Sequence, residues 1–232
     1  MKSFTFATLL LASQVALVTT SHAATVITQW TFETSIPATA GPHAAEVGTG
    51  SATGFHASGA TAYNNPVGNG SAESFSANTW AVNDYFQFSI ATTGYEDILV
   101  SWSQTSSSTG PGEFKLAYQV NGGGFTDFVN YIVLPNQVAA PGLGSWTSGT
   151  EITGYNYSFD LSAITGLDNA ASVDFRLIMR STNDAAPPGT VAAGGTSRVD
   201  NFTISGTAVP EPSTGLLGLI AAACLPLRRR RK

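Results

Sequence analysis

The 232-residue sequence predicts an all-β fold, a two-sheet antiparallel β-sandwich. Three observations point there. Apolar and polar residues alternate with period two in several separate stretches, the pattern of strands with one buried face. Turn-forming Gly, Pro and Asn clusters separate those stretches at intervals suited to hairpins. Lys and Arg are scarce outside the last five residues while Gly, Ser, Thr and Ala are abundant, a composition that favours strands and loops over long surface helices.

The first strand is predicted over residues 25–32 (TVITQWTF), with Val26, Trp30 and Phe32 on one face. Residues 33–83 are low in charge and carry few strand signals. Because a structureless loop of that length is unusual, weak edge strands are expected there, with Phe55 and Tyr63 as markers. The clear core begins at Asp84. Phe86, Phe88 and Ile90 point inward from one strand, and Ile98, Val100 and Trp102 from the next, with Ser101 and Ser103 outward. Phe114, Leu116, Tyr118 and Val120 line a third, and Asn121-Gly122-Gly123-Gly124 supplies the positive-φ turn into its partner, residues 125–134. Tyr155, Tyr157, Phe159 and Leu161 alternate with Asn156, Ser158 and Asp160. Residues 161–167 allow no more than a helical turn. Val173, Phe175, Leu177 and Met179 face inward from the penultimate strand, and residues 198–205 (RVDNFTIS) close the domain. The count is eight to ten strands. Each large inward side chain contributes roughly 1.5–3 kcal/mol on full burial, so a core can form without disulfides.

Both ends read as sorting signals. Lys2, the apolar run 4–18 and Ser21-His22-Ala23 have the order of a signal peptide over residues 1–23, with cleavage between Ala23 and Ala24. At the other end, residues 209–232 combine the stiff, extended Val209-Pro210-Glu211-Pro212, an apolar run of 12 residues (216–227), and Arg228, Arg229, Arg230, Arg231 and Lys232. The apolar run is short of the roughly 20 residues of a comfortable transmembrane helix, and the basic end holds its side in the cytoplasm. A hydrophobic C-terminal helix that anchors the chain for a time is therefore expected. With Pro210-Glu211-Pro212 as its motif, this tail resembles the PEP-CTERM sorting signal of Gram-negative bacteria. The resemblance implies removal of the tail by an exosortase and a setting rich in exopolysaccharide. It implies passage through the secretion translocon and signal peptidase, transient inner-membrane anchoring, and arrival at the cell surface or extracellular matrix. The residues 85–88, 93–95, 100–102 and 198–202, with Trp30-Thr31-Phe32, resemble the jelly-roll domain common in exported proteins of that kind.

Residues 24–208 form the single expected domain. They carry four basic residues, Lys115, Arg176, Arg180 and Arg198, against fourteen acidic ones, a formal charge of −10. Such a surface repels nucleic acid and anionic lipid, and nucleic acid is excluded as a partner. The one cysteine, Cys224, lies in the tail, so a disulfide and a Cys zinc site are both excluded from the body. The two histidines that remain after signal cleavage, His43 and His56, are expected at the surface.

No carboxylate pair has the i, i+2 or i, i+4 spacing that places a glycosidase's two acids on one strand face, and no G-x-S-x-G is present. The expected function is therefore non-enzymatic: a surface or matrix protein sorted by an exosortase, associated with exopolysaccharide, with the Ser/Thr-rich residues 105–109 as candidate O-glycosylation sites. The alternative is a carbohydrate-binding module with a defined glycan. Trp80 and Trp146, in predicted loops, are the candidate sugar-stacking residues, with Tyr85, Tyr95 and Tyr155 behind them; the competing reading is that they pack the sandwich ends. No cofactor is expected except a candidate structural calcium shared by Glu33 and Asp200, against which stands a simple Asp200–Arg198 ion pair.

Overall fold

The computed structural model describes residues 23–136 and 143–210. Residues 1–22 of the expected signal peptide and the apolar and basic parts of the tail lie outside them. Twelve strands are described: β1 (Thr25–Trp30), β2 (His43–Ala44), β3 (Gly50–Phe55), β4 (Tyr63–Asn64), β5 (Phe75–Ala77), β6 (Tyr85–Ile90), β7 (Tyr95–Ser106), β8 (Glu113–Val120), β9 (Thr126–Ile132), β10 (Asn156–Asp160), β11 (Val173–Met179) and β12 (Ser197–Ala208). Two single 3-10 turns, Thr153–Tyr155 and Thr165–Leu167, are the only helical elements among the described residues. No helix among them is long and apolar enough to cross a membrane.

The strands form two six-stranded sheets, with every strand pair antiparallel. In the first sheet the order is β10-β7-β12-β5-β4, and β1 also pairs with β12; in the second it is β2-β3-β6-β11-β8-β9. The alternation set which faces meet. Phe86, Phe88, Ile98, Val100, Trp102, Phe114, Leu116, Val173, Phe175 and Leu177 are all buried between the sheets. The core is unusually aromatic. Phe88 on β6 stacks on Phe202 on β12 with ring centroids 3.5 Å apart and planes within 2°, which joins the two sheets at their centre. Trp30 abuts both rings edge-on.

The weakly patterned residues 33–83 hold four strands, β2 to β5. Two of them, β2 and β4, lie at sheet edges as expected, but β3 and β5 are interior. Small residues explain why alternation did not show them: Ala52 and Ala77 fill core positions where the chain runs close to large rings. The buried pair of His56 and Asp84 secures this segment. Asp84 accepts hydrogen bonds from the backbone of Ala57 (2.8 Å) and Ala81 (2.7 Å), and its carboxylate lies 3.3 Å from His56 Nδ1. Burial pushes the His56 imidazole below its usual pKa. His43 is also buried, its Nε2 against Thr39 O. Neither histidine is therefore on the surface.

Two further expectations change. Val26 does not share the buried face with Trp30, because the β1–β12 register slips between Val26 and Thr28, and Thr28 is buried in its place. Thr105 and Ser106 are buried at the end of β7, so the loop of candidate O-glycosylation residues begins only at Ser107.

The geometry of β12 positions the candidate site. Along one side it pairs with β7. Along the other it pairs first with β5 (Ser197–Val199) and then with β1 (Phe202–Gly206). At the changeover Asn201 has φ 52° and the register against β7 slips. A strand that kinks out of its ladder there leaves a depression over the outer face of the first sheet.

Candidate functional site: a polar cleft on the first sheet

Outward-facing residues of four adjacent strands form a straight polar row. Gln29 on β1 lies opposite Thr203 on β12, Thr203 opposite Ser101 on β7, and Ser101 opposite Ser158 on β10. Beside it runs a second row, Asp200, Ser103 and Asn156. The first row, with Ser103 and Asn156 of the second, floors a cleft with a volume of about 540 Å3, walled by Asn69, Gly70, Ser71, Glu151 and Asn201. Its size falls within the range of about 300–1,000 Å3 common for small-ligand sites.

The wall is held by hydrogen bonds over long sequence separations. Asn69 donates from Nδ2 to Ser103 Oγ (3.1 Å), Ile152 O (3.2 Å) and Asn156 Oδ1 (3.1 Å), and its Oδ1 accepts from Ile152 N (2.8 Å). Ser103 Oγ donates to Asn156 Oδ1 (2.7 Å), and Asn156 Nδ2 donates to Glu151. Gly70 N donates to Thr147 O (2.9 Å), tying the two walls together. The side chains of Gln29, Ser101 and Ser158 have no hydrogen-bond partner among the described residues. The site therefore combines an immobilised amide network with unengaged hydroxyl and amide groups on its floor.

Asp200 lies beneath the wall, fully buried. Its carboxylate accepts from Asn69 N (2.8 Å), Ser71 Oγ (2.6 Å), Asn201 N (2.7 Å) and Asn201 Nδ2 (3.1 Å). Burial nevertheless outweighs these donors, and with the Glu33 charge nearby its pKa is pushed up to about 6. Arg198 does not pair with it among the described residues. Arg198 donates to Val67 O (2.9 Å) and sits over the Trp146 ring, and burial lowers its pKa to about 10.

The candidate calcium pair is thus brought close enough for Glu33 to act on Asp200, but Glu33 accepts from Glu73 N (2.8 Å) and Asp200 holds four donors. No group of three or more His, Cys, Asp or Glu residues suited to a metal occurs among the described residues.

The candidate sugar-stacking tryptophans are corrected. Trp80 is 6% exposed, packed against Phe86 and Phe114 with its Nε1 donating to Ala77 O (2.8 Å). Trp146 is 3% exposed, edge-on to Tyr155, with the Arg198 guanidinium over its ring. Tyr155 is fully buried. Loop position had suggested exposure, but all three rings are buried and Trp80 belongs to the main core cluster. Val209, the first residue of the tail motif, is exposed and donates its N–H to Gly94 O (2.9 Å). Pro210 is the last described residue. Glu211, Pro212 and the basic tail lie outside the described residues, as do residues 1–22 of the expected signal peptide; Ala23 and Ala24, where cleavage is expected, are exposed.

No protein-family model matches the chain, and no curated protein matches it. Solved structures do. The carbohydrate-binding module TmCBM61, in complex with β-1,4-galactotriose, is 11% identical with a TM-score of 0.40, over 75% of this chain and 92% of that one. The K1 cleaved adhesin domain of Lys-gingipain from Porphyromonas gingivalis W83 is 14% identical with a TM-score of 0.46, over 80% and 99%. TmCBM27, a carbohydrate-binding module studied for specific mannan recognition, is 10% identical with a TM-score of 0.43, over 80% and 99%. At these identities and TM-scores the likeness identifies no ligand.

Proposed function

We propose that this chain is an exported, non-enzymatic β-sandwich of the cell surface or extracellular matrix that holds a neutral sugar in the cleft on its first sheet. The observation that carries the reading is the cross-strand row Gln29–Thr203–Ser101–Ser158. Uncharged donors and acceptors in a row match the hydroxyls of a neutral saccharide, and the fixed Asn69–Asn156 network limits what must be ordered on binding. The cleft lining carries one carboxylate, Glu151, and no cation. That lining suits hydroxyl groups better than phosphate, and it lacks the second acid that hydrolysis of a glycosidic bond employs.

The sorting half of the reading rests on the order of residues 209–232: motif, apolar run, basic end. It assigns the secretion translocon, signal peptidase and an exosortase as processing partners and a matrix polysaccharide as the final one. Titration of the full chain with neutral oligosaccharides by calorimetry tests the cleft. Saturable binding that Ser101→Trp abolishes supports the reading; binding untouched by a bulky residue at the centre of the row overturns it.

A further inference from the structure

The opposite face of the molecule, the outer side of the second sheet, carries a different surface. Four planar groups, three from separate strands and one from a turn, stand side by side across it. Phe55 on β3 stacks on Tyr85 on β6, with centroids 5.1 Å apart and planes within 16°. The Arg176 guanidinium from β11 sits 3.9 Å from the Tyr85 centroid and 3.7 Å from that of Phe125, at the end of the β8–β9 turn. Groups stacked face to face across strands turn their edges outward. Aromatic edges are the electropositive part of the ring, and the edge of a guanidinium is a row of N–H donors. Arg176 Nε donates to Gln87 Oε1 (2.7 Å), while its two Nη groups have no hydrogen-bond partner among the described residues. The end of the row is open, since Phe55 is 52% exposed.

Charge is distributed to match. Lys115, Arg176 and Arg180 all face outward on this sheet, against Glu113, Asp127 and Asp174, so this face is formally neutral. The −10 of the body therefore belongs wholly to the rest of the domain. Lys115 is bound to Asp127 (2.8 Å) and Arg180 to Glu113 (2.6 Å). Arg176 is in no ion pair among the described residues; Asp174, two residues away on the same face, is beyond ion-pair distance. At physiological salt, charges more than about 8 Å away are largely screened, so the acidic remainder of the body acts only weakly here.

We propose that this ridge is a second binding site, separate from the cleft, for the carboxylate groups of an acidic polysaccharide. Arg176 receives the carboxylate through its Nη edge, in the fork geometry that suits a planar anion. The open face of Phe55 receives an adjoining sugar ring. A polysaccharide fits better than an acidic polypeptide because the ridge joins one anion-binding edge to one flat apolar face at its end.

The test immobilises polygalacturonate, its carboxyl-reduced counterpart and poly-glutamate, and measures binding of the full chain by interferometry at low and physiological salt. The acidic polysaccharide is expected to bind at least about tenfold more tightly than the reduced one, the order of magnitude of a charge-assisted hydrogen-bonded pair. Arg176→Gln should remove that preference, and Phe55→Ala should weaken binding with the preference retained. Ser101→Trp in the cleft should leave it unchanged. Equal binding of polygalacturonate and its reduced form overturns the proposal without reference to any variant, and so does poly-glutamate binding as tightly as polygalacturonate.

Discussion

Raising the pH from about 4 to about 7 should remove stability that Asp200 contributes, the opposite of what most carboxylates in a folded protein do. The group is fully buried and its pKa rises from 3.8 to about 6 on folding. A raised carboxylate favours the folded state fully below 3.8, and that contribution is lost as pH passes about 6. Each tenfold change in proton affinity between the unfolded and folded states is worth about 1.4 kcal/mol, so the loss is about 3 kcal/mol. For a domain of this size one kcal/mol moves Tm by about 2–4 °C, so Asp200 should move it by about 6–12 °C. Other groups act the other way: Glu46, held low by hydrogen bonds from Thr31, Thr34 and Ser35, and His56, whose neutral form burial favours, both lose stability as pH falls. The quantity to read is therefore the difference between the parent chain and Asp200→Asn in chelator, by calorimetry across that range. The variant's absolute Tm also drops, because an amide cannot accept from Asn69 N, Ser71 Oγ and Asn201 N together, but it has no charge to titrate. If parent and variant fall in parallel, the burial argument for Asp200 is wrong. The same series in millimolar calcium decides the cation reading. A slope that vanishes assigns an ion to Glu33 and Asp200, and an unchanged slope removes it.

Other outcomes follow from single contacts. Phe202→Ala removes the ring stacked on Phe88 at the join of the sheets and should cost about 3–5 kcal/mol in urea unfolding; a loss under about 1 kcal/mol would mean the core closes over the gap. Asp84→Ala strands the Ala57 and Ala81 amides beside His56 and should cost about 2–4 kcal/mol, with loss of protease protection concentrated in residues 57–84. Gly68→Ala places a methyl group against Ser71 Oγ, Glu73 O and Asp200 Oδ2, so it should displace the cleft wall and weaken saccharide binding while leaving the ridge's preference for polygalacturonate intact. Mass spectrometry of the native C-terminus should find an end near residues 210–213; an intact Arg-Arg-Arg-Arg-Lys end would contradict exosortase processing.

The large strands of the fold were legible because their periodicity is one-sided. Phe86, Phe88 and Ile90, or Val173, Phe175 and Leu177, permit one inward face and no other. The short strands were not, because their inward residues are small or isolated. β3 enters the core through Ala52 alone, and Gly50 and Gly54 on the same strand lie against the Trp30 and Tyr63 rings. In those places neighbouring aromatics supply the volume that alternation looks for in the strand itself.

Burial of the loop aromatics was illegible for a related reason. Trp80 is covered by Phe86 and Phe114, and Trp146 by Arg198 and Tyr155, groups near and far in sequence that no periodicity around these loop positions pairs with them. The two proposed binding surfaces split the same way. The outward residues Ser101, Asn156 and Ser158 could be read directly from alternation, but their alignment into one row depends on strand order and register, which place β1 and β10 on opposite sides of the β12–β7 pair. On the other sheet the sequence showed four cations against fourteen carboxylates, which argues against any anionic ligand if the charge is spread evenly. Topology distributes it unevenly. Three of the four cations fall on one sheet face, two of them are held in ion pairs, and the remaining one, Arg176, is clamped between two rings. Net charge thus fixes what the body as a whole repels, while register decides the one face where that repulsion is cancelled.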